Sequence, residues 1–140
     1  MKSLRVSKVV SRRIELDRVC MIREGEKEYC LYPLDDFMTV LGKKWTLFVI
    51  AVLGNQERMR FNEIQSELRF VSSRTLADRL KELGDLGLIQ RKAFNEIPPK
   101  VEYRLTGEGQ ALRRVLIPLL SWAIEFETGH TAVEGPMSTP

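Results

Sequence analysis

Histidine is almost missing from this chain. His130 is the only one, and it sits among closing residues rich in Gly, Ser, Thr and Pro. A lone imidazole so placed makes a poor catalytic base or metal ligand. There are two cysteines, Cys20 and Cys30, too few for a closed zinc site unless a dimer shares them. No GxSxG, HExxH, Walker or GxGxxG pattern occurs. The usual chemistry of an enzyme is therefore absent, and neither a cofactor nor a metal is expected. Long apolar runs are lacking too. The longest, Trp45 to Leu53, falls far short of the roughly 20 residues that span a bilayer. No apolar segment precedes a small-residue cleavage site near the start, so export is not expected. The chain reads as cytoplasmic, with no membrane partner. Nine glycines and six prolines exclude collagen-like or low-complexity composition.

What is present suits one folded domain. The 140 residues are 44% apolar and 29% charged, enough to bury a core without disulfides or metals. The net charge is +3 and the sequence pI is near 9.0. A mild basic excess permits nucleic-acid binding without demonstrating it. Its distribution says more. Residues 31–127 carry 14 Lys/Arg against 13 Asp/Glu, and twelve of those cations lie between Arg58 and Arg114. Any basic face belongs there.

Residues 1–32 form an N-terminal extension. Ile14, Leu16, Cys20 and Ile22 alternate with polar residues, as on a strand. Arg23 to Lys27 reads as a turn around Gly25, and Glu28 to Tyr32 as the returning strand. A three-residue loop at 24–26 would set Cys20 opposite Cys30, a candidate redox pair. The plainer reading is two small apolar residues in a reducing compartment. Pro33 suits a first helical turn, and Leu34, Phe37, Met38 and Leu41 follow as one helical stripe that Gly42 stops. Trp45 to Leu53, apolar all round, reads as a buried helix closed by Gly54.

Next comes a very short extended piece, Arg60-Phe61. Asn62 is the expected cap of a short helix pointing Ile64 and Leu68 inward, with Gln65 three residues on. Phe70-Val71 forms a turn. Ser72 or Ser73 caps another helix with the stripe Leu76, Leu80, Leu83, which places Arg74, Asp78, Lys81 and Asp85 on the opposite side. Gly84 and Gly87 mark its end. Leu88 to Phe94 and Lys100 to Leu105 read as two strands. Thr106 caps a last helix carrying Leu112, Leu116, Leu119 and Phe126, which Pro118 should kink or split. Residues 33–127 thus form the main domain, and residues 128–140 read as a disordered tail.

Two short helices joined by a tight turn and followed by a hairpin make a winged helix-turn-helix, mainly α with a small β-hairpin wing. The second helix of such a pair fits a major groove. The hairpin can set cations beside the neighbouring backbone. Five segments carry a family resemblance: GKKW (42–45), RFNEI (60–64), SSRTLADRLKELGDLGLIQR (72–91), PPKVEYRLTGEG (98–109) and Trp122. The chain resembles the HxlR-type family of MarR-like winged helix-turn-helix transcriptional regulators over about residues 33–126. The resemblance implies a homodimer that dimerises through its N- and C-terminal helices and binds double-stranded DNA. It departs in two places. The family's Cys-Pro pair before the first helix is here Tyr32-Pro33, with Cys30 two residues upstream. Pro118 also comes a turn later than the family pattern has it.

The candidate DNA-binding residues are Arg60, Asn62, Ser72, Ser73, Arg74, Thr75, Arg79, Lys92 and Lys100. Each has a plainer reading. Arg74 could be a solvated cation near Asp78 or Glu82. Arg79 sits close to the core stripe, where a structural role is natural. One serine is simply a cap. Asn62 is as reasonably a cap as a contact. Lys92 and Lys100 could merely guard a sheet edge. Leu34, Phe37, Leu116, Leu119, Trp122 and Phe126 are the candidate dimer interface, since so long an apolar stripe is unusual on a monomer's surface helix. Trp45, Trp122 and Phe126 fit core or interface better than an effector pocket. The expected function is sequence-specific DNA binding to a near-palindromic operator, with an unidentified small-molecule or redox effector left open. The alternative is a winged-helix protein–protein interaction module without specific DNA binding.

Overall fold

A computed structural model describes residues 21–129. Contacts divide the chain into two units, Met1–Lys43 and Lys44–Pro140. The tail is expected at 128–140, but Thr128 still belongs to the last helix and Gly129 caps it; residues 130–140 lie outside the described residues, as does Cys20.

In the first unit, β1 (Met21–Glu24) pairs antiparallel with β2 (Lys27–Cys30). Glu24 faces Lys27 and Met21 faces Cys30. The loop is therefore Gly25-Glu26, one residue shorter than expected, and the register shifts with it. In an antiparallel pair loop length sets the register, so the expected Cys20–Cys30 opposition gives way to Met21–Cys30. Arg23 Nε donates to Glu28 Oε1 at 2.9 Å across the strands. A 3-10 turn at Tyr32–Leu34 leads into α1 (Asp35–Leu41), which Gly42 ends.

The second unit is built around α2 (Thr46–Leu53), where Thr46, Val49, Ile50 and Leu53 are buried. A helix apolar on nearly every side buries most of its surface, though Phe48 stays 47% exposed. Accordingly α2 packs against α3 (Phe61–Leu68), α4 (Ser73–Asp85), α5 (Gly107–Thr128) and β5 (Lys100–Leu105). The sheet runs β3 (Met59–Arg60), β5, β4 (Ile89–Phe94), all antiparallel. Met59, Ile89 and Leu105 seal its inner face, joined by Ile64, Leu76, Leu80 and Leu83 from the helices.

Three details differ from the sequence reading. The cap of α3 is Arg60 rather than Asn62. Its backbone N–H donates to Glu63 Oε1 at 2.8 Å, while Asn62 lies exposed in the first helical turn. Glu63, not Gln65, is three residues beyond the true cap, so only the half of the capping box that runs from the backbone N–H to the acidic side chain is formed. Gly84 lies inside α4, and the helix ends through Gly87. The Gly87 N–H bonds the Gly84 carbonyl at 3.0 Å and the Leu88 N–H bonds the Leu83 carbonyl at 3.0 Å. That pairing needs a left-handed residue, and Gly87 supplies it at φ 78°. Finally, Pro118 does not split α5, which runs unbroken for 22 residues. Pro118 is exposed, so water can take the hydrogen bond that the ring denies the Arg114 carbonyl.

The start of α5 is seated firmly. Thr106 Oγ1 accepts from the Gly109 N–H at 3.1 Å and donates to the Gly87 carbonyl at 2.6 Å. Gly109 lies against the chain at Leu88, where a Cβ would come within 2.0 Å of the Leu88 carbonyl oxygen. Helix α4, its turn, the sheet and α5 are thereby tied at one place.

Candidate nucleic-acid interface

Helix α4 has a buried and an open side. Leu76, Leu80 and Leu83 are buried, while Arg74, Asp78, Lys81 and Asp85 are exposed. This is the arrangement that the 3.6-residue period dictates. Arg74 makes no hydrogen bond or ion pair among the described residues, so its guanidinium stands ready at the helix start. Arg79 is different. Its Nε donates to the Lys44 carbonyl at 3.1 Å, its Nη1 pairs with Glu82, and its side chain is only 17% exposed. It anchors α4 to the chain entering α2.

The turn before α4 is held by its own polar groups. Ser72 Oγ accepts from the Thr75 N–H at 3.1 Å and donates to Thr75 Oγ1 at 2.9 Å. Ser73 Oγ accepts from Gln65 Nε2 at 3.0 Å, and the same amide donates to the Val71 carbonyl at 3.3 Å. Ser72 is the cap. Ser72, Ser73 and Thr75 therefore fix the joint between α3 and α4 whatever else they touch.

The wing is β4, its loop and β5. Lys92 pairs with Glu102 in the register and Phe94 with Lys100. Both lysine ammonium groups stand 4.9 Å from the Phe94 ring centroid. Glu102 gathers the neighbouring charges, with Lys100 Nζ at 3.8 Å and Arg58 Nη1 at 3.6 Å. Arg60 sits beside it, opposite Glu102 in the β3–β5 pairing. Arg104 Nε donates to Gln90 Oε1 at 2.8 Å on the same sheet face. A shallow cleft of about 330 Å³ opens among Arg58, Arg91, Lys92 and Arg104.

Three of these cations were not singled out from the sequence. Lys100, Glu102 and Arg104 alternate along β5, so the period of two could have found Arg104. Arg91 carried no such cue. It takes an inner-face position beside Ile89 yet lies exposed. Arg58 lies 44 positions before Glu102 in sequence, and only the fold brings them together.

The model of the HxlR-like helix-turn-helix family matches residues 40–131, well over half of the chain. The chain belongs to the HxlR-like helix-turn-helix family. It is 37% identical over 102 residues to the HTH-type transcriptional regulator YodB of Bacillus subtilis, covering 72% of this chain and 90% of that protein. A crystal structure described as a possible HxlR family transcriptional factor from Thermoplasma volcanium superposes with a TM-score of 0.70 at 37% identity. That match covers 76% of this chain and 95% of the other. The redox regulator HypR in its oxidized form gives a TM-score of 0.60 at 28% identity, covering 72% and 99%. As an HxlR-like protein the chain is one of the helix-turn-helix transcriptional regulators with a MarR-like winged fold. No helix among the described residues is long and apolar enough to cross a membrane.

This HxlR-like chain also carries an apolar stripe on α5. Val115, Leu119, Trp122 and Phe126 follow i, i+4, i+7, i+11 and are all exposed. Trp122 and Phe126, 58% and 73% exposed, stack with ring centroids 5.2 Å apart. Leu116 does not belong with them. It is 3% exposed, one of the core residues of its own unit, because it falls on the side of α5 that faces α2. In the first unit Leu34 is exposed and Phe37 half-buried.

Proposed function

We propose that the protein is a sequence-specific DNA-binding regulator that acts as a homodimer on a near-palindromic operator. The observation that carries the reading is Arg74, exposed at the start of α4, uncommitted and opposite the core stripe. In a helix-turn-helix those positions meet base edges, and a guanidinium there can bond a guanine edge through two N–H groups. Lys92 on the wing, with Arg60 and Asn62 at the start of α3, would meet phosphates. Arg79 supports α4 from behind. The stripe Val115, Leu119, Trp122, Phe126, with Leu34 and Phe37, would form the dimer surface. Two copies would set two α4 helices into successive major grooves. The site of action is the cytoplasm. A redox input through Cys30 is kept as part of the proposal because a structural neighbour is a redox regulator.

The test is fluorescence anisotropy with duplex DNA from upstream of the protein's own coding region, at several salt concentrations, with scrambled competitor. The reading expects tight, competitor-resistant binding that Arg74→Ala weakens by about 10- to 100-fold. Affinity should fall linearly in log salt, with a slope near −0.9 per phosphate contacted. Salt-independent binding, or binding indifferent to Arg74→Ala, overturns it in favour of a protein–protein module.

A further inference from the structure

Away from α4 and the wing tip, a second cleft opens between the end of α2, the end of β5 and the first turns of α5. Its volume is about 510 Å³, and Asn55, Gln56, Arg104, Gln110, Arg113 and Arg114 are among its lining residues. That size is ordinary for a small-molecule site. The lining is not. Such sites are predominantly apolar, whereas Leu105 is the one large apolar residue here. Three arginines and one carboxylate, Glu57, line it, and Glu57 pairs with Arg58 at 3.4 Å. The cleft therefore carries an uncompensated positive charge in a concave, polar place.

Arg113 is held there with care. Its Nε donates to the Ala51 carbonyl at 2.9 Å and its Nη2 to Asn55 Oδ1 at 3.0 Å. Those contacts use the side edge of the guanidinium. The end edge, with one N–H from each terminal nitrogen, makes no hydrogen bond among the described residues. That edge is the fork that takes a carboxylate or phosphate through two parallel bonds. Gly54 makes the placement possible. A Cβ there would lie 2.0 Å from Arg113 Cδ, so any larger residue would push the side chain out. Arg114 is exposed beside it and makes no hydrogen bond or ion pair among the described residues. Arg104 is oriented by Gln90 through its Nε, which leaves its terminal nitrogens unspent.

We propose that this cleft binds a small polar oxyanion of the carboxylate or phosphate class. Arg113 is its fixed fork, Arg104 and Arg114 are its adjustable cations, and the Gln110 and Asn55 side chains can bond the rest of the ligand. The site rests on the cleft's geometry and stands whether or not α4 reads DNA.

The test titrates the full chain with citrate and with inorganic phosphate by calorimetry. Sodium chloride at matched ionic strength is the control. Arg113 clasps α5 to α2, so the informative variant is Arg104→Gln with Arg114→Gln, both exposed. Saturable uptake of citrate or phosphate is expected, weakened at least about tenfold in the double variant with an unchanged melting temperature. No uptake beyond the chloride control, or uptake indifferent to the double variant, overturns the proposal. So does a third outcome, in which neither free anion binds but Arg114→Gln alone, which leaves the wing cleft untouched, weakens duplex DNA binding. The cleft would then hold a DNA phosphate. Since the anion titration contains no DNA, failure of the operator reading leaves its result intact.

Discussion

Two exposed surfaces of the second unit obey opposite rules. The open side of α4 and the outer sheet face are polar, and water satisfies them at no cost to the folded chain. From Val115 to Phe126, α5 exposes four large apolar side chains in one stripe, with two rings stacked on each other. Each leaves apolar area in water that burial would stabilise by about 25 cal/mol per Å². The polar face is thus complete before any partner arrives, and the apolar face is not. A mutation on the first should alter recognition and leave the fold alone. A mutation on the second should alter assembly, and recognition only through assembly.

The sharpest break comes from charging the apolar stripe. Trp122→Asp with Phe126→Asp should halve the molar mass in light scattering. It should also lower operator affinity more than about a hundredfold, since a lone half-site forfeits the second set of contacts. Should the mass stay that of a dimer, the stripe is not the interface. Next comes Arg74→Ala, expected to weaken operator binding by about 10- to 100-fold, the range for one bidentate base contact. Its melting temperature should match wild type. Arg79→Ala tests the same helix from its other side. Loss of the bond to the Lys44 carbonyl should cost about 1.5 kcal/mol in denaturant unfolding, with operator affinity falling less than for Arg74→Ala. The reverse ranking would exchange their roles. The smallest effect is expected from Ser72→Ala, about 1 kcal/mol of stability for a lost helix cap.

How much of this could be read beforehand follows from the physics of each feature. The stripe Leu76, Leu80, Leu83 and the serine and threonine caps are local, and the sequence shows them directly. So is the outward position of Arg74. Arg79 was legible only as an ambiguity, because its neighbour in space, Lys44, is 35 positions away. The cap at Arg60 escaped because arginine has no side-chain acceptor and caps only through its backbone. Leu116 was grouped with Leu119 and Trp122 since periodicity marks which residues are apolar, not which side of a long helix meets α2. The hairpin register turned on one residue of loop length, which Gly25-Glu26 does not announce. The arginine cleft joins segments about fifty residues apart and leaves no local trace.

The two wing lysines share one aromatic ring, each 4.9 Å from its centre. Their positive charges are therefore not independent variables. Like charges at one ring repel, so removing either lysine lets the other settle closer on Phe94, and their effects on binding should be non-additive in a double-mutant cycle. Phe94→Leu removes no charge at all, yet frees both ammonium groups to wander, and would register as the phenotype of a charge mutation.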